Sequence, residues 1–224
     1  MSAPATAAPG AGTAAGGERI GDLALFPLGL VLFPQALLAL RVFEARYLDL
    51  MSACLRSGAP FGVVTLTRGG EVRAGKAGAA EVEFTRQGCL ARLLSCDAPQ
   101  AGLLQVSCSG THRFETGPPR QDADGLWRAD AELLADDPAQ PPPADCQDAV
   151  DALQLACASL AAQDRSPFQA PLDFGNTAWV ANRWCEILPI PAPTKLKLMM
   201  LPDATARLRL VADFLRRKGI VAGG

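Results

Sequence analysis

Apolar and polar positions follow a strand pattern over much of the chain between residues 20 and 135. Phe61–Thr67 is rich in β-branched residues and is followed by two glycines, while residues 81–85 alternate polar and apolar positions as a half-buried strand does. Other short apolar runs bounded by turn residues are Leu23–Phe26, Cys89–Ser95, Leu103–Ser109 and Leu126–Leu133. About six short strands separated by turns predict a small closed β-structure.

One segment between these predicted strands has helical spacing instead. Its apolar residues recur every three or four positions, at Phe43, Tyr47, Leu50 or Met51, and Cys54. The following Ser57-Gly58 is a typical helix end. The sequence therefore predicts one helix inserted among the strands.

From residue 144 onward the pattern becomes helical. Asp145, Asn176 and Asp203 each precede an apolar stripe, and their side chains can accept hydrogen bonds from the first free amides of a helix. The second of these predicted helices carries Trp179 and Trp184. Because five positions separate the two rings, they do not share one helix face, and we expect one in the core and the other partly exposed.

The composition divides the chain into four predicted segments. Residues 1–19 are rich in Ala, Gly and Pro and are expected to form a disordered tail. Residues 20–135 carry the strand patterns, residues 136–143 contain three consecutive prolines and are predicted to be an extended linker, and residues 144–218 are predicted to be a helical bundle. The fold class expected is α+β.

Charge and cysteine content narrow the function classes. The 224 residues carry a formal net charge of −2, which does not favour a nucleic acid or an anionic membrane as partner. The seven cysteines form no C-x-x-C pair and His112 is the single histidine, so no metal site is predicted and the cysteines are expected to be reduced. Residues 1–17 lack the basic start and apolar core of a secretory signal, and we expect a cytoplasmic location.

The segment Leu23–Met51, LALFPLGLVLFPQALLALRVFEARYLDLM, resembles the opening of the N-terminal, substrate-binding domain of Lon-type proteases. Gln35 stands where that family usually has the glycine of LFPG, and Ala45 where it has the proline of FEPRY. Weaker similarities extend the resemblance to about residue 218. The matching positions are Leu25–Leu28, Val31–Pro34, Leu40–Arg41, Phe43–Glu44, Arg46–Tyr47, Phe61–Val64, Ala80–Val82 and Gly110–Phe114.

The resemblance implies a β-barrel similar to that of PUA domains, with one inserted helix, followed by a C-terminal helical bundle. It also implies a non-catalytic module that binds unfolded or loosely folded polypeptide or a dedicated protein partner, without the ATPase and peptidase of the protease and without a cofactor. Two alternatives are an RNA-binding PUA-like protein and a small-molecule-binding sensor. The residues expected to form a polypeptide-binding spot are Phe33, Pro34, Arg41, Phe43, Glu44, Arg46 and Tyr47. The alternative for the charged members is an ion-paired helix start that fixes the first strand to the helix. The alternative for Phe33 and Pro34 is a strand end with a packed phenylalanine.

Two motifs resemble parts of enzyme active sites but lack features that those sites need. Gly70–Ala77 spells G-x-x-x-x-G-K, but Ala77 replaces the hydroxyl residue that holds magnesium in a phosphate-binding loop, and a strand pattern follows it. His112 could be combined with Ser107 or Ser109 and with Asp97, yet no nucleophile elbow accompanies them. We therefore expect a Gly-rich hairpin at the first motif and no catalytic residues at either.

Overall fold

The computed structural model describes residues 17–70, 82–163, 166 and 168–221. Within them, seven strands form one sheet in the order β2-β5-β4-β3-β1-β7-β6. An additional pairing of β5 with β7 joins five of the strands into a closed ring, and β2 and β6 are attached outside it. The strands are β1 (Arg19–Leu28), β2 (Leu37–Val42), β3 (Phe61–Arg68), β4 (Glu83–Gln100), β5 (Leu103–Thr116), β6 (Arg120–Gln121) and β7 (Trp127–Leu133).

The ring differs from the predicted strands in two places. The two strands predicted at residues 81–85 and 89–95 are one continuous β4, whose pairing with β3 and β5 contains register shifts. Gly88 lies where a side-chain carbon would come within 2.2 Å of the carbonyl oxygen of Val63, so the glycine permits a close strand approach rather than a turn. β2 was not predicted, because its sequence LLALRV shows apolar residues on both faces.

Five α-helices and one 3₁₀ turn accompany the sheet. The inserted helix α1 covers Ala45–Ser57, close to its predicted position, and the 3₁₀ turn at Ala144–Cys146 leads into α2. Within the described residues, no helix combines the length and the apolar composition that a membrane crossing requires. The remaining helices are α2 (Gln147–Ala161), α3 (Thr177–Ile187), α4 (Ala192–Met199) and α5 (Ala204–Arg217).

Two of the three predicted helix caps are present. The side chain of Asn176 accepts hydrogen bonds from the amides of Ala178 and Trp179, and that of Asp203 accepts from Thr205 and Ala206. The prediction for Asp145 is wrong. Its carboxylate binds Arg209 Nε at 2.9 Å, since the preceding 3₁₀ turn places it at the surface facing α5.

The expectation that one tryptophan is partly exposed is also wrong. Trp179 and Trp184 are 3% and 5% exposed. Every residue of α3 from Thr177 to Cys185 is buried, so the helix is enclosed on all sides and spacing along it does not separate an inner from an outer face. The indole nitrogen of Trp184 donates to the carbonyl oxygen of Ala149 on α2, which satisfies its polar group in the core.

The hydrophobic core has two parts. A small cluster fills the ring, with side chains from β1, β3, β4, β5 and β7 around Phe114. A larger cluster runs from β1 and β2 through α1 to α2, α3 and α5. The barrel and the helices therefore share one continuous core.

A buried ionic cluster closes the junction between barrel and helices. Asp137, in the segment predicted to be a linker, accepts from Arg113 of β5 at 3.1 Å and from Arg207 of α5 at 2.8 Å. All three side chains are less than a tenth exposed. Arg207 also donates to Asn182 Oδ1 at 2.9 Å and to the carbonyl oxygen of Leu201 at 2.7 Å. One carboxylate thus compensates two guanidinium groups that are almost entirely buried.

Candidate functional site

Two neighbouring depressions form an apolar groove beside β2. The first, of about 300 Å³, lies between the end of β1 and the segment from Ala39 to Tyr47. The second, of about 350 Å³, lies between residues 29–32, residues 36–38 and the α3–α4 connection. Leu30 lines both depressions, so they are adjacent. We call the two together the β2 groove.

The walls of the β2 groove expose large apolar side chains. Leu30, Leu37 and Phe43 are 38%, 41% and 52% exposed. Single exposed apolar residues are common at protein surfaces, but these three line two adjacent depressions and together form an exposed apolar surface. The groove is therefore a candidate site for apolar side chains of a ligand.

The backbone of β2 is also available along the groove. Within the described residues β2 pairs with β5 alone, and the sheet ends at it. The amide of Gly110 donates to Ala36 O in the turn before β2, so the register directs the backbone of Leu38, Leu40 and Val42 towards β5. Residues 37, 39 and 41 then present their backbone groups on the opposite side. An unpaired strand edge of this kind is a template for an extended polypeptide.

The structure brings together four of the seven site residues predicted from the sequence. Arg41, Phe43, Glu44 and Tyr47 line the first depression of the β2 groove. The Tyr47 ring stacks on Phe26 of β1 with 3.9 Å between the ring centroids, and it is buried apart from the edge that faces the groove. The inserted helix and the first strand thus form the floor, and Arg41 and Phe43 form the exposed rim.

The other three predicted residues lie elsewhere. Arg46 is buried behind the groove, where it donates to Glu44 and to the carbonyl oxygen of Gly125, each at 2.8 Å. Phe33 is fully buried in the core. Pro34 lies on the far side of the turn from the groove, and its carbonyl oxygen accepts from Arg183 at 2.7 Å. Gln35 adopts a φ of +63°, the conformation that favours the glycine of the resembling motif.

Two cations line the groove without a salt bridge among the described residues, although Lys195 is near enough to Glu186 for their charges to interact. Arg41 is exposed at one end, and Lys195 lies at the other, where its Nζ donates to the carbonyl oxygen of Glu186 at 2.8 Å. The two carboxylates that line the groove are neutralised from behind, Glu44 by Arg46 and Glu186 by Arg183. The groove is therefore locally cationic in an acidic protein, and it favours acidic residues beside the apolar ones of a ligand.

Burial shifts the titration of two groups in the second depression. Desolvation raises the pKa of Glu186 from 4.5 to about 7, although the neighbouring Arg183 and Lys195 oppose the shift. Desolvation also lowers the pKa of Lys195. Sequence reasoning missed Glu186 and Lys195, and it missed Leu30 and Leu37. For Leu37 a signal was present, because a strand that is apolar at both alternating sets of positions has apolar residues on its exposed face. Leu30 lies in the bend after β1, where no such pattern applies.

The remaining candidates for chemistry do not assemble a catalytic group. The structure pairs His112 Nδ1 with Asp136 Oδ1 at 3.1 Å and not with Asp97, which lies opposite Gln105 in the sheet. Burial raises the pKa of the thiols of Cys89, Cys108 and Cys185 to about 12, so they are poor nucleophiles at neutral pH. Residues 71–77 of the G-x-x-x-x-G-K motif lie outside the described residues.

The basic end of the chain, which an RNA-binding protein would use, is largely ion-paired. Arg207 is buried against Asp137. Arg209 binds Asp145 at 2.9 Å, and Arg216 binds Asp148 at 2.8 Å. These pairs reduce the positive charge that α5 offers to a phosphate backbone.

Comparison with known proteins gives a consistent result. The family model of the ATP-dependent protease La (LON) substrate-binding domain matches residues 22–217. The crystal structure of the Lon N-terminal domain protein from Xanthomonas campestris is similar, with 28% identity and a TM-score of 0.63 over 87% of this chain and 99% of that one. The N-terminal domain of the Mycobacterium avium complex Lon protease has the same fold, with 12% identity and a TM-score of 0.54 over 86% and 97% of the two chains. No curated protein matches the sequence.

These similarities confirm two predictions made from the sequence. The resemblance carried by Leu23–Met51 is correct, and the α+β fold with a PUA-like barrel is that of the Lon N-terminal domain structures. The predicted segment boundaries and the predicted binding residues are not tested by the comparisons, and they stay predictions.

Proposed function

Because the chain belongs to the family of the Lon substrate-binding domain, we propose that it is a module that binds loosely folded polypeptide in the β2 groove, without cleaving it. The observation that carries this proposal is that Leu30, Leu37 and Phe43 are exposed in two adjacent depressions beside β2, whose outer edge has no strand partner among the described residues. Unfolded polypeptides offer both apolar side chains and free backbone groups. A groove that offers apolar side chains and the backbone groups of a strand edge can hold such a segment without a reactive side chain.

The charges of the groove indicate which residues a bound segment should carry. Arg41 and Lys195 lie at its two ends, so a bound segment is expected to carry apolar residues in the middle and acidic residues at its flanks. The affinity expected for a groove of this size is micromolar, on the order of −8 kcal/mol. Association through exposed charges should weaken as salt is added.

The test is a titration of a labelled, permanently unfolded protein, such as reduced and carboxymethylated α-lactalbumin, read by fluorescence anisotropy. Replacing Leu30 and Phe43 together by serine should weaken binding about tenfold or more, since two apolar contacts are lost. Leu155→Ser is the matched control, because Leu155 is 73% exposed on α2 and lines neither depression. Gels of the same samples, with and without ATP, should show an intact client.

Three results would contradict the proposal. Equal loss of binding in the Leu155 variant would mean that any exposed apolar residue suffices and that the groove is not the site. Absence of binding to several unfolded clients would favour a dedicated folded partner. Cleavage by a highly purified sample would overturn the non-catalytic function.

A further inference from the structure

A second cavity lies on the opposite side of the Pro34–Ala36 turn from the β2 groove. It has a volume of about 540 Å³ and opens between β4, β5, the chain at Asp136 and Asp137, and the residues that lead into α3. We call it the junction pocket, because its walls come from both the barrel and the helical part. The proposed polypeptide binding does not use it.

The charged groups of the junction pocket are compensated by protein partners, with two exceptions. Asp137 is held by Arg113 and Arg207, and Asp136 is paired with His112. Asp173 is exposed at the rim. Arg92, which is partly buried in the wall, has no hydrogen bond and no ion pair among the described residues. Among the described residues, Arg92 is therefore the cation of the pocket lining that has no acidic partner, and Asp173 at the rim is the carboxylate that has no cationic one.

The guanidinium group of Arg92 has hydrogen-bond donors that lack an acceptor among the described residues. Its Nε is out of contact with solvent and has no acceptor, whereas its terminal nitrogens are not sealed from the pocket. A buried polar group without a partner costs free energy comparable to a lost hydrogen bond. The buried arginines Arg46 and Arg183 also have an unmet Nε, but their terminal nitrogens bind carboxylate and carbonyl oxygens. Arg92 differs from them because it lacks every such contact.

The surroundings of Arg92 define which ligand would fit. Asn176 and Asn182 line the pocket, and each uses its side-chain oxygen for an internal hydrogen bond, which leaves the amide nitrogens as donors. Pro171, Leu172 and Trp179 supply apolar atoms to the wall. Arg92 offers one guanidinium group, which matches a single carboxylate, while the unpaired Asp173 at the rim would repel the second negative charge of a phosphate.

We propose that the junction pocket binds a small monocarboxylate whose carboxylate pairs with the terminal nitrogens of Arg92. A guanidinium and a carboxylate are both planar and can form two parallel hydrogen bonds, and the amides of Asn176 and Asn182 then contact the polar remainder of the ligand. The site is independent of polypeptide binding in the β2 groove. Because its walls come from both parts of the chain, an occupied pocket also stabilises their junction.

The test uses the full chain labelled with ¹⁵N and titrated with acetate, lactate and benzoate at constant ionic strength. Since the Arg92 Nε–H is shielded from water, its resonance reports directly on the site. We expect saturable shifts of this resonance and of the Asn176 and Asn182 amides, with phosphate binding more weakly than at least one monocarboxylate. Arg92→Gln should weaken the monocarboxylate about tenfold or more, as measured at the two asparagines.

The matched control is Arg86→Gln, which removes an exposed arginine of the same strand that does not line the pocket. It should leave the affinity unchanged. If Arg92→Gln disturbs the fold, Arg92→Lys retains the charge and should lose part of the affinity because it lacks the planar fork. Non-saturable shifts in the wild type, unchanged binding in both Arg92 variants, or phosphate binding tighter than every monocarboxylate would each overturn the proposal.

Discussion

The β2 groove and the barrel–helix junction show opposite arrangements of polar and apolar groups. At the junction, Arg113, Asp137 and Arg207 are charged and buried. In the groove, Leu30 and Phe43 are apolar and exposed. Each arrangement is costly by itself, since a buried charge loses hydration and an exposed apolar side chain remains in water.

The two regions differ in how that cost is compensated. Within the junction, hydrogen bonds from both guanidinium groups to Asp137 and to backbone carbonyls supply the compensation inside the folded chain. In the groove no described segment covers the exposed residues, and under the proposed function a bound polypeptide does so. The comparison separates residues that determine stability from residues that determine binding. Substitutions at the two places should therefore affect different measurements.

The largest effect on stability is expected from Asp137→Ala. The change leaves Arg113 and Arg207 buried without a counter-charge, and breaking a buried ionic group costs roughly 3–5 kcal/mol. The free energy of unfolding, measured with urea, should fall by that amount. Asp213→Ala is the control, because Asp213 is 56% exposed and its pair with Arg216 is 3.3 Å long. That exposed pair should contribute about 1 kcal/mol or less. Equal losses in the two variants would contradict the role given to the junction.

An intermediate effect is expected at Glu186, which belongs to both regions because it lines the groove and pairs with the buried Arg183. Burial raises its pKa from 4.5 to about 7, so between these pH values the folded chain holds a proton that the unfolded chain has lost. The contribution of Glu186 to stability therefore falls as pH rises through this window and is constant above it. The slope should reach at most about 1.4 kcal/mol per pH unit.

The measurement is the free energy of unfolding as a function of pH for the wild type and for Glu186→Gln. The glutamine keeps an acceptor for Arg183 but does not titrate. The difference between the two proteins should therefore change through the window from pH 4.5 to about 7 and be flat above it. Parallel curves, or a wild-type stability that rises relative to the variant through this window, would show that the carboxyl group is better solvated than the structure indicates.

Local signals explain which parts of the fold were predictable from the sequence. β3 was found because its β-branched residues and flanking turn residues are adjacent in the chain. The caps at Asn176 and Asp203 were found because a cap contacts amides only two or three residues away. Features that depend on distant partners were missed. Asp137 looked like part of a solvated linker because Arg207, its partner, lies 70 positions later.

The candidate groove was only half predictable for the same reason. Arg41, Phe43, Glu44 and Tyr47 were named together because they are neighbours in the sequence. Leu30 reaches them from the end of the first strand, and Lys195 arrives from the α3–α4 connection at the opposite end. For Phe33 the sequence left a ligand contact and a packed strand end both open, because an apolar residue before a proline has the same local pattern in either place, and the structure shows it in the core.

The smallest effect on stability is expected from Phe43→Ser, which completes the comparison from the side of the groove. Phe43 is already 52% exposed in the folded chain, so the fold gains only about half of the transfer free energy of a buried phenylalanine side chain. The free energy of unfolding should therefore fall by about 1 kcal/mol or less. In the presence of saturating unfolded client, the same variant should lose part of the stabilisation that binding gives to the wild type. A loss well above that of Leu155→Ser without client would mean that Phe43 is part of the packed core. Phe43 would then contribute to stability as the junction residues do, and the groove could not be separated from the junction by its effect on stability.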